Sequence, residues 1–93
     1  MSLVLDGPRG TITVPDSVLV GIAAGAAETV DGVRARRRRS VDLDARVVRL
    51  ELVATRGEPL TAQGRRVQDA VAAALKQTCD LDFTVDVAFE ELA

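Results

Sequence analysis

The chain has no histidine, no tryptophan and no tyrosine, and only two phenylalanines and one cysteine among its 93 residues. Without histidine, the Ser-His-Asp type of triad and histidine-ligated metal sites are excluded. A lone Cys79 permits neither an internal disulfide nor a cysteine zinc site, which suits a reducing compartment. It reads as a small apolar residue near a helix end. Long hydrophobic runs are also missing. The opening "MSLVLDGPRG" offers only Leu3 to Leu5 in succession, too few for a signal-peptide core or a membrane span, so a cytoplasmic location is expected. No Walker loop, Rossmann fingerprint or Gly-x-Ser-x-Gly elbow occurs. No catalytic residue, metal ligand, cofactor or small-molecule substrate is nominated.

What is present is aliphatic and charged. Hydrophobic residues make up 47% and charged residues 28%, a globular balance that implies one modest core of Val, Leu, Ile and Ala. The formal net charge is -2, so the mean field does not draw the molecule to phosphate backbones, and any basic patch acts locally.

Periodicity gives the elements. After the turn signal "DGPRG", the alternation of "TITV" puts Ile12 and Val14 on one face of a first strand. Pro15 suits a first helical turn, with Asp16 and Ser17 as capping or dipole-matching groups, and a helix is expected to about Thr29. Val18, Ile22, Ala26 and Val30 recur at four-residue spacing and predict its core stripe, flanked by the smooth Ala23, Ala24 and Ala27. Asp31-Gly32 ends it. A second strand starts at Val33 and turns at "SVDLD", and a third, from about Arg46 to Thr55, puts Val48, Leu50, Leu52 and Ala54 on its core face. After "RGEP", a helix with a stripe of Val67, Val71, Ala74, Leu75 and Thr78 is expected, weakened at Gly64 by up to ~1 kcal/mol relative to Ala. Finally "DFTVDVAFE" alternates with Phe83, Val85, Val87 and Phe89 inward. The order β-α-β-β-α-β predicts an α+β two-layer sandwich, two helices on one face of a four-stranded sheet. Residues 1–9 read as a short extension and 10–93 as a single domain.

The stretches "GTITVPDSVLVGIAAGAAETVDGV", "VRLELVATRGEPL", "RVQDAV" and "TCDLDFTVDVAF" together resemble the alkaline-shock or general-stress envelope protein family of Gram-positive bacteria, over nearly all of Gly10 to Phe89. The family usually has glycine after the threonine that ends its second helix, where this chain has Cys79-Asp80, and the long polar tails common in the family are missing. The resemblance implies a non-enzymatic cytoplasmic protein that self-associates, takes part in cell-envelope stress homeostasis and lies close to the membrane through an anchoring partner.

The remaining chemistry is electrostatic. "VRARRRRSVDL" holds Arg34, Arg36, Arg37, Arg38 and Arg39. In an extended strand Arg34, Arg36 and Arg38 share one face, and Arg37 and Arg39 the other. The run reads as a charged edge strand that meets an acidic partner or anionic lipid headgroups. The alternative is a nucleic-acid-binding module, although the strand lacks the aromatic rings that stack bases. On the third strand Val47, Arg49, Glu51 and Val53 point away from the core and are candidates for self-association. An Asp-Leu-Asp triplet occurs twice, at Asp42/Asp44 and Asp80/Asp82; it reads as a solvated turn, without the oxygen-rich loop of a calcium site.

Overall fold

A computed structural model describes residues 2–55 and 59–90. The elements run β1 (Ser2–Gly7), β2 (Gly10–Pro15), α1 (Asp16–Ala27), β3 (Val33–Asp42), β4 (Val47–Ala54), α2 (Leu60–Cys79) and β5 (Thr84–Phe89). The fold is α+β, but the expected four-stranded sheet does not form. β1 and β2 make a two-stranded antiparallel ribbon, and β3-β4-β5 make a separate three-stranded sheet.

The reason lies in residues 2–10. The span read as an extension contains β1, and Gly7 pairs with Gly10 across Pro8-Arg9. Proline presets the backbone of such a tight turn, and Gly10 adopts φ 126°, a conformation that costs glycine little. A local partner with minimal loop entropy therefore captures β2 before a distant strand can. Leu3 and Val14 share one face of the ribbon, and Leu3 is buried in the main core.

In the larger sheet β4 is central, antiparallel to β3 and parallel to β5. The β3–β4 hairpin and the β4-α2-β5 crossover are as the element order predicts. Ser40, Val41 and Asp42, expected in the turn, extend β3, and the reversal falls at Leu43–Arg46. Val48, Leu50 and Leu52 of β4 and Val85 of β5 are buried beneath the helices, together with Phe83 just before β5.

Helix α1 turns a different stripe inward from the one its four-residue spacing predicts. Leu19, Ala23, Ala24 and Ala27 are buried, whereas Val18 is 47% exposed and Ile22, Ala26 and Val30 flank the core. The stretch from Val18 to Ala27 is almost uniformly apolar, so no polar residue dictates which arc faces in. Small alanines win because they let α1 approach Val67, Val71 and Leu75 of α2 closely. Pro15 occupies the N-cap position without a side-chain cap bond, and Asp16 is acidic in the first turn.

Helix α2 buries Gln63, Gly64, Val67, Val71, Leu75 and Cys79. Thr78, expected on this stripe, is exposed and donates its hydroxyl hydrogen bond to the Ala74 carbonyl, 2.7 Å away. The helix ends in a left-handed cap at Asp80 (φ 56°, ψ 35°), whose N–H bonds the Lys76 carbonyl at 2.8 Å. A left-handed cap thus forms at an aspartate without glycine, because a short polar side chain tolerates that conformation. Burial pushes the Cys79 thiol pKa up, which disfavours the reactive thiolate.

Among the described residues no helix is long and apolar enough to cross a membrane.

Candidate functional site

β3 is an edge strand, and its arginine run sits where its pairing with β4 breaks. Ala35 pairs with Leu52 and the next pair is Arg39 with Leu50. Three residues of β3, Arg36, Arg37 and Arg38, therefore oppose the single Glu51 of β4. This is a bulge enlarged by one residue over the usual two against one. Such a bulge bends an edge strand and spoils it as a template for further pairing. All five arginines of the run are exposed.

The face opposite the helices is built by three rows. Central β4 contributes Val47, Arg49, Glu51 and Val53; the register brings Ser40 and Asp86 to the two sides of Arg49, and Ala88 beside Glu51. Arg34 is opposite Val53 on the same face. Arg36 reaches across to Glu90, Nε to Oε2 at 2.8 Å, with the two side chains 55% and 32% exposed. Both are open to water, so the pair adds little stability but fixes the direction of the guanidinium. Arg34 and Arg36 lie on one face, as alternation predicts, whereas Arg37 and Arg38 both line the groove over that face. The bulge itself was not expected, and it leaves Arg39 in register with Leu50 on the helix side, near Asp16 and Ser17 of α1.

Glu51 lies within this cluster, and its pKa is raised above the ordinary 4.5. The largest cause is a side-chain hydrogen bond with Glu90, in which a proton is shared between two carboxyl groups; loss of water and repulsion from Glu90 act in the same direction, and Arg38 and Arg36 pull against them. The surface is thus a mixed one, with acids placed among the arginines. A groove runs over it between Arg37–Ser40 on one side and Asp86–Ala88 on the other, floored by Arg49–Glu51.

Of the residues that compose this surface, Glu90, Asp86 and Ala88 escaped functional notice in the sequence. The alternation of β5 placed them outward, but only its parallel register against β4 brings them beside Arg49 and Glu51. Aromatic rings are absent from the described residues of the face: Phe83 and Phe89 lie on the helix side. The two Asp-Leu-Asp triplets lie at the same end of the sheet. Asp42 closes β3 opposite Val47, and Val47 is opposite Thr84, two residues after Asp82. Among the described residues no three His, Cys, Asp or Glu side chains are grouped so as to hold a metal ion.

Comparison of the chain with known protein families, with curated proteins and with solved structures returns no match.

Proposed function

We propose that the protein is a non-enzymatic interaction and assembly module that docks acidic protein surfaces on the open face of its three-stranded sheet. The observation that carries this reading is the bulge, where Arg36, Arg37 and Arg38 oppose one glutamate on a sheet face without helix cover. Arginine forks bind carboxylates in pairs of parallel hydrogen bonds and are weakly hydrated, which suits them to protein interfaces. Val47 and Val53 supply partly buried apolar contact beside Arg49 and Glu51, and self-association through this face belongs to the proposal. The resemblance in Gly10 to Phe89 supports a cytoplasmic role in envelope stress homeostasis, next to the membrane through an anchoring protein.

Glu51, Glu90 and Asp86 argue against the nucleic-acid alternative and against a lipid headgroup surface. A uniform polyanion laid across the arginines meets these carboxylates, and no ring on the face offers base stacking.

The test replaces Arg36, Arg37 and Arg38 by Ser and compares affinity capture from nuclease-treated cytoplasmic and membrane fractions at low and high salt. The wild-type protein should retain acidic partners that survive nuclease and are released by salt, and the variant should lose them while its circular dichroism and unfolding midpoint stay unchanged. Sequence-selective RNA binding at physiological salt, or capture that is indifferent to the three arginines, would sink the reading.

A further inference from the structure

Five of the twelve basic residues lie in Arg34–Arg39, so the rest of the chain sets seven against fourteen acids. The charge is segregated along the sheet, and the acids are not evenly spread over what remains. Each Asp-Leu-Asp triplet turns its leucine inward: Leu43 is buried and Leu81 packs against the core. The flanking aspartates are displayed as a consequence. Asp44 is exposed, and the side chains of Asp80 and Asp82 are 95% and 92% exposed. Asp42 is partly held, its Oδ1 accepting the Ala45 N–H at 3.0 Å. Two cations share this end. Lys76 stands 3.5 Å from Asp80 and 3.8 Å from Asp82, and Arg46 lies over the Phe83 ring at 5.9 Å. Four aspartates against two cations leave the end negative.

We infer that a second copy of this chain docks its Asp42/Asp44/Asp80/Asp82 end against the arginine bulge of the first, in a head-to-tail contact. The inference rests on the open sheet face being a docking surface for acidic protein, and it names the occupant. Charge complementarity selects that occupant. The bulge needs a few placed carboxylates that avoid Glu51, Glu90 and Asp86, and the aspartate end supplies carboxylates as two pairs, each flanking an inward-turned leucine. Both poles are on the same chain, so each copy brings the complement of the other. The poles are separated by four to six residues of β3, roughly 13–20 Å at strand rise. They are different surfaces, so the contact is heterologous: after two copies join, one basic and one acidic pole stay open, and growth continues until a ring closes or a filament extends. Like poles repel, which suppresses the symmetric pairing of bulge with bulge.

The experiment measures mass by sedimentation or light scattering over a concentration series of the full chain. Salt is raised from about 0.01 M to about 1 M, which shortens the screening length from about 30 Å to about 3 Å. Wild-type protein should form species larger than a dimer at low salt and dissociate at high salt. The Arg36→Ser, Arg37→Ser, Arg38→Ser variant and the Asp80→Asn, Asp82→Asn variant should each remain monomeric at low salt. Mixed in equal amounts they should form a heterodimer that grows no further, because one intact basic pole and one intact acidic pole are left between them. All substituted side chains are largely exposed, and Asn tolerates the left-handed backbone at position 80, so both variants should fold. A mixture that stays monomeric, association that persists in either variant alone, or a wild-type chain that is monomeric at low salt overturns the inference. In the last case arginine-dependent capture of other acidic proteins would leave the docking surface standing with a different occupant, whereas loss of both would remove the surface as well.

Discussion

Gln63 is fully buried in α2, and among the described residues neither its amide nitrogen nor its amide oxygen has a partner. A buried amide without hydrogen bonds costs about 1–3 kcal/mol. Gln63→Leu, close in volume, should therefore raise the unfolding free energy by about 1 kcal/mol or more, read from the urea midpoint at unchanged slope. A lower midpoint would show instead that the amide is satisfied and contributes to packing. Glu51 makes a pH-dependent prediction. Its hydrogen bond with Glu90 makes the folded chain hold a proton more tightly than the unfolded one. Between the unfolded value near 4.5 and the raised folded value, the folded state then binds more protons, and stability falls as pH rises through that window. Glu51→Gln keeps a permanent donor beside Glu90 and should flatten this decline in midpoint as pH rises above 4.5. An undiminished decline in the variant would assign it to other groups.

At the scale of elements, β5 gives the sharpest contrast between faces. Val85 is buried opposite Val48, and Thr84 is exposed opposite Val47. Val85→Asp places a carboxylate in the core beside Val48 and should cost several kcal/mol, enough to unfold a domain of this size. Thr84→Asp should shift the midpoint by about 0.5 kcal/mol or less, because the new charge stays in water. Circular dichroism at a single temperature separates the two outcomes, and equal tolerance would mean that the faces are reversed. The two edges of the same sheet are managed differently. β3 carries the arginine bulge, whereas β5 has its Val85 carbonyl taken by the Gln68 amide at 3.0 Å. That carbonyl points away from β4, because Thr84 and Glu90 turn their N–H groups toward it. Side chains thus blunt both edges against uncontrolled strand pairing, one by charge and one by a hydrogen bond.

The whole molecule measures 49 × 20 × 19 Å, elongated for 93 residues. Among the described residues its β1–β2 ribbon has no third strand, and Val4 and Ile12 on it are 57% and 61% exposed. Two-stranded ribbons are marginal by themselves, and this one is held by Leu3 in the core and by the direct run of β2 into α1. The electrostatic shape is set at this scale too. A net charge of -2 conceals a basic patch midway along β3 and an acidic end of the sheet. The salt response expected of the proposed head-to-tail contact therefore follows from the folded charge distribution and not from the mean charge.

The amino-acid sequence by itself determined both helices, the β3–β4 hairpin, the inward rows of β4 and β5, and the exposure of the arginines. Each of these follows from local periodicity: strict alternation at Val48, Leu50, Leu52 and at Phe83, Val85, or a four-residue stripe at Val67, Val71, Leu75. Tertiary structure alone decided the partner of β2, the arc of α1 that faces inward, the bulge at Arg36–Arg38 and the placing of the two Asp-Leu-Asp triplets at one end of the sheet. The physical reason is common to them. Strand partnership and register depend on competition between pairings of nearly equal local propensity, settled by loop entropy and by which side chains fit together in the core. For β2 the tight turn at Gly7–Gly10 settled it, and for α1 the close fit of alanines against α2. For Glu51 it was the parallel register of β5, which brings Glu90 and the arginines to one place although they are far apart along the chain.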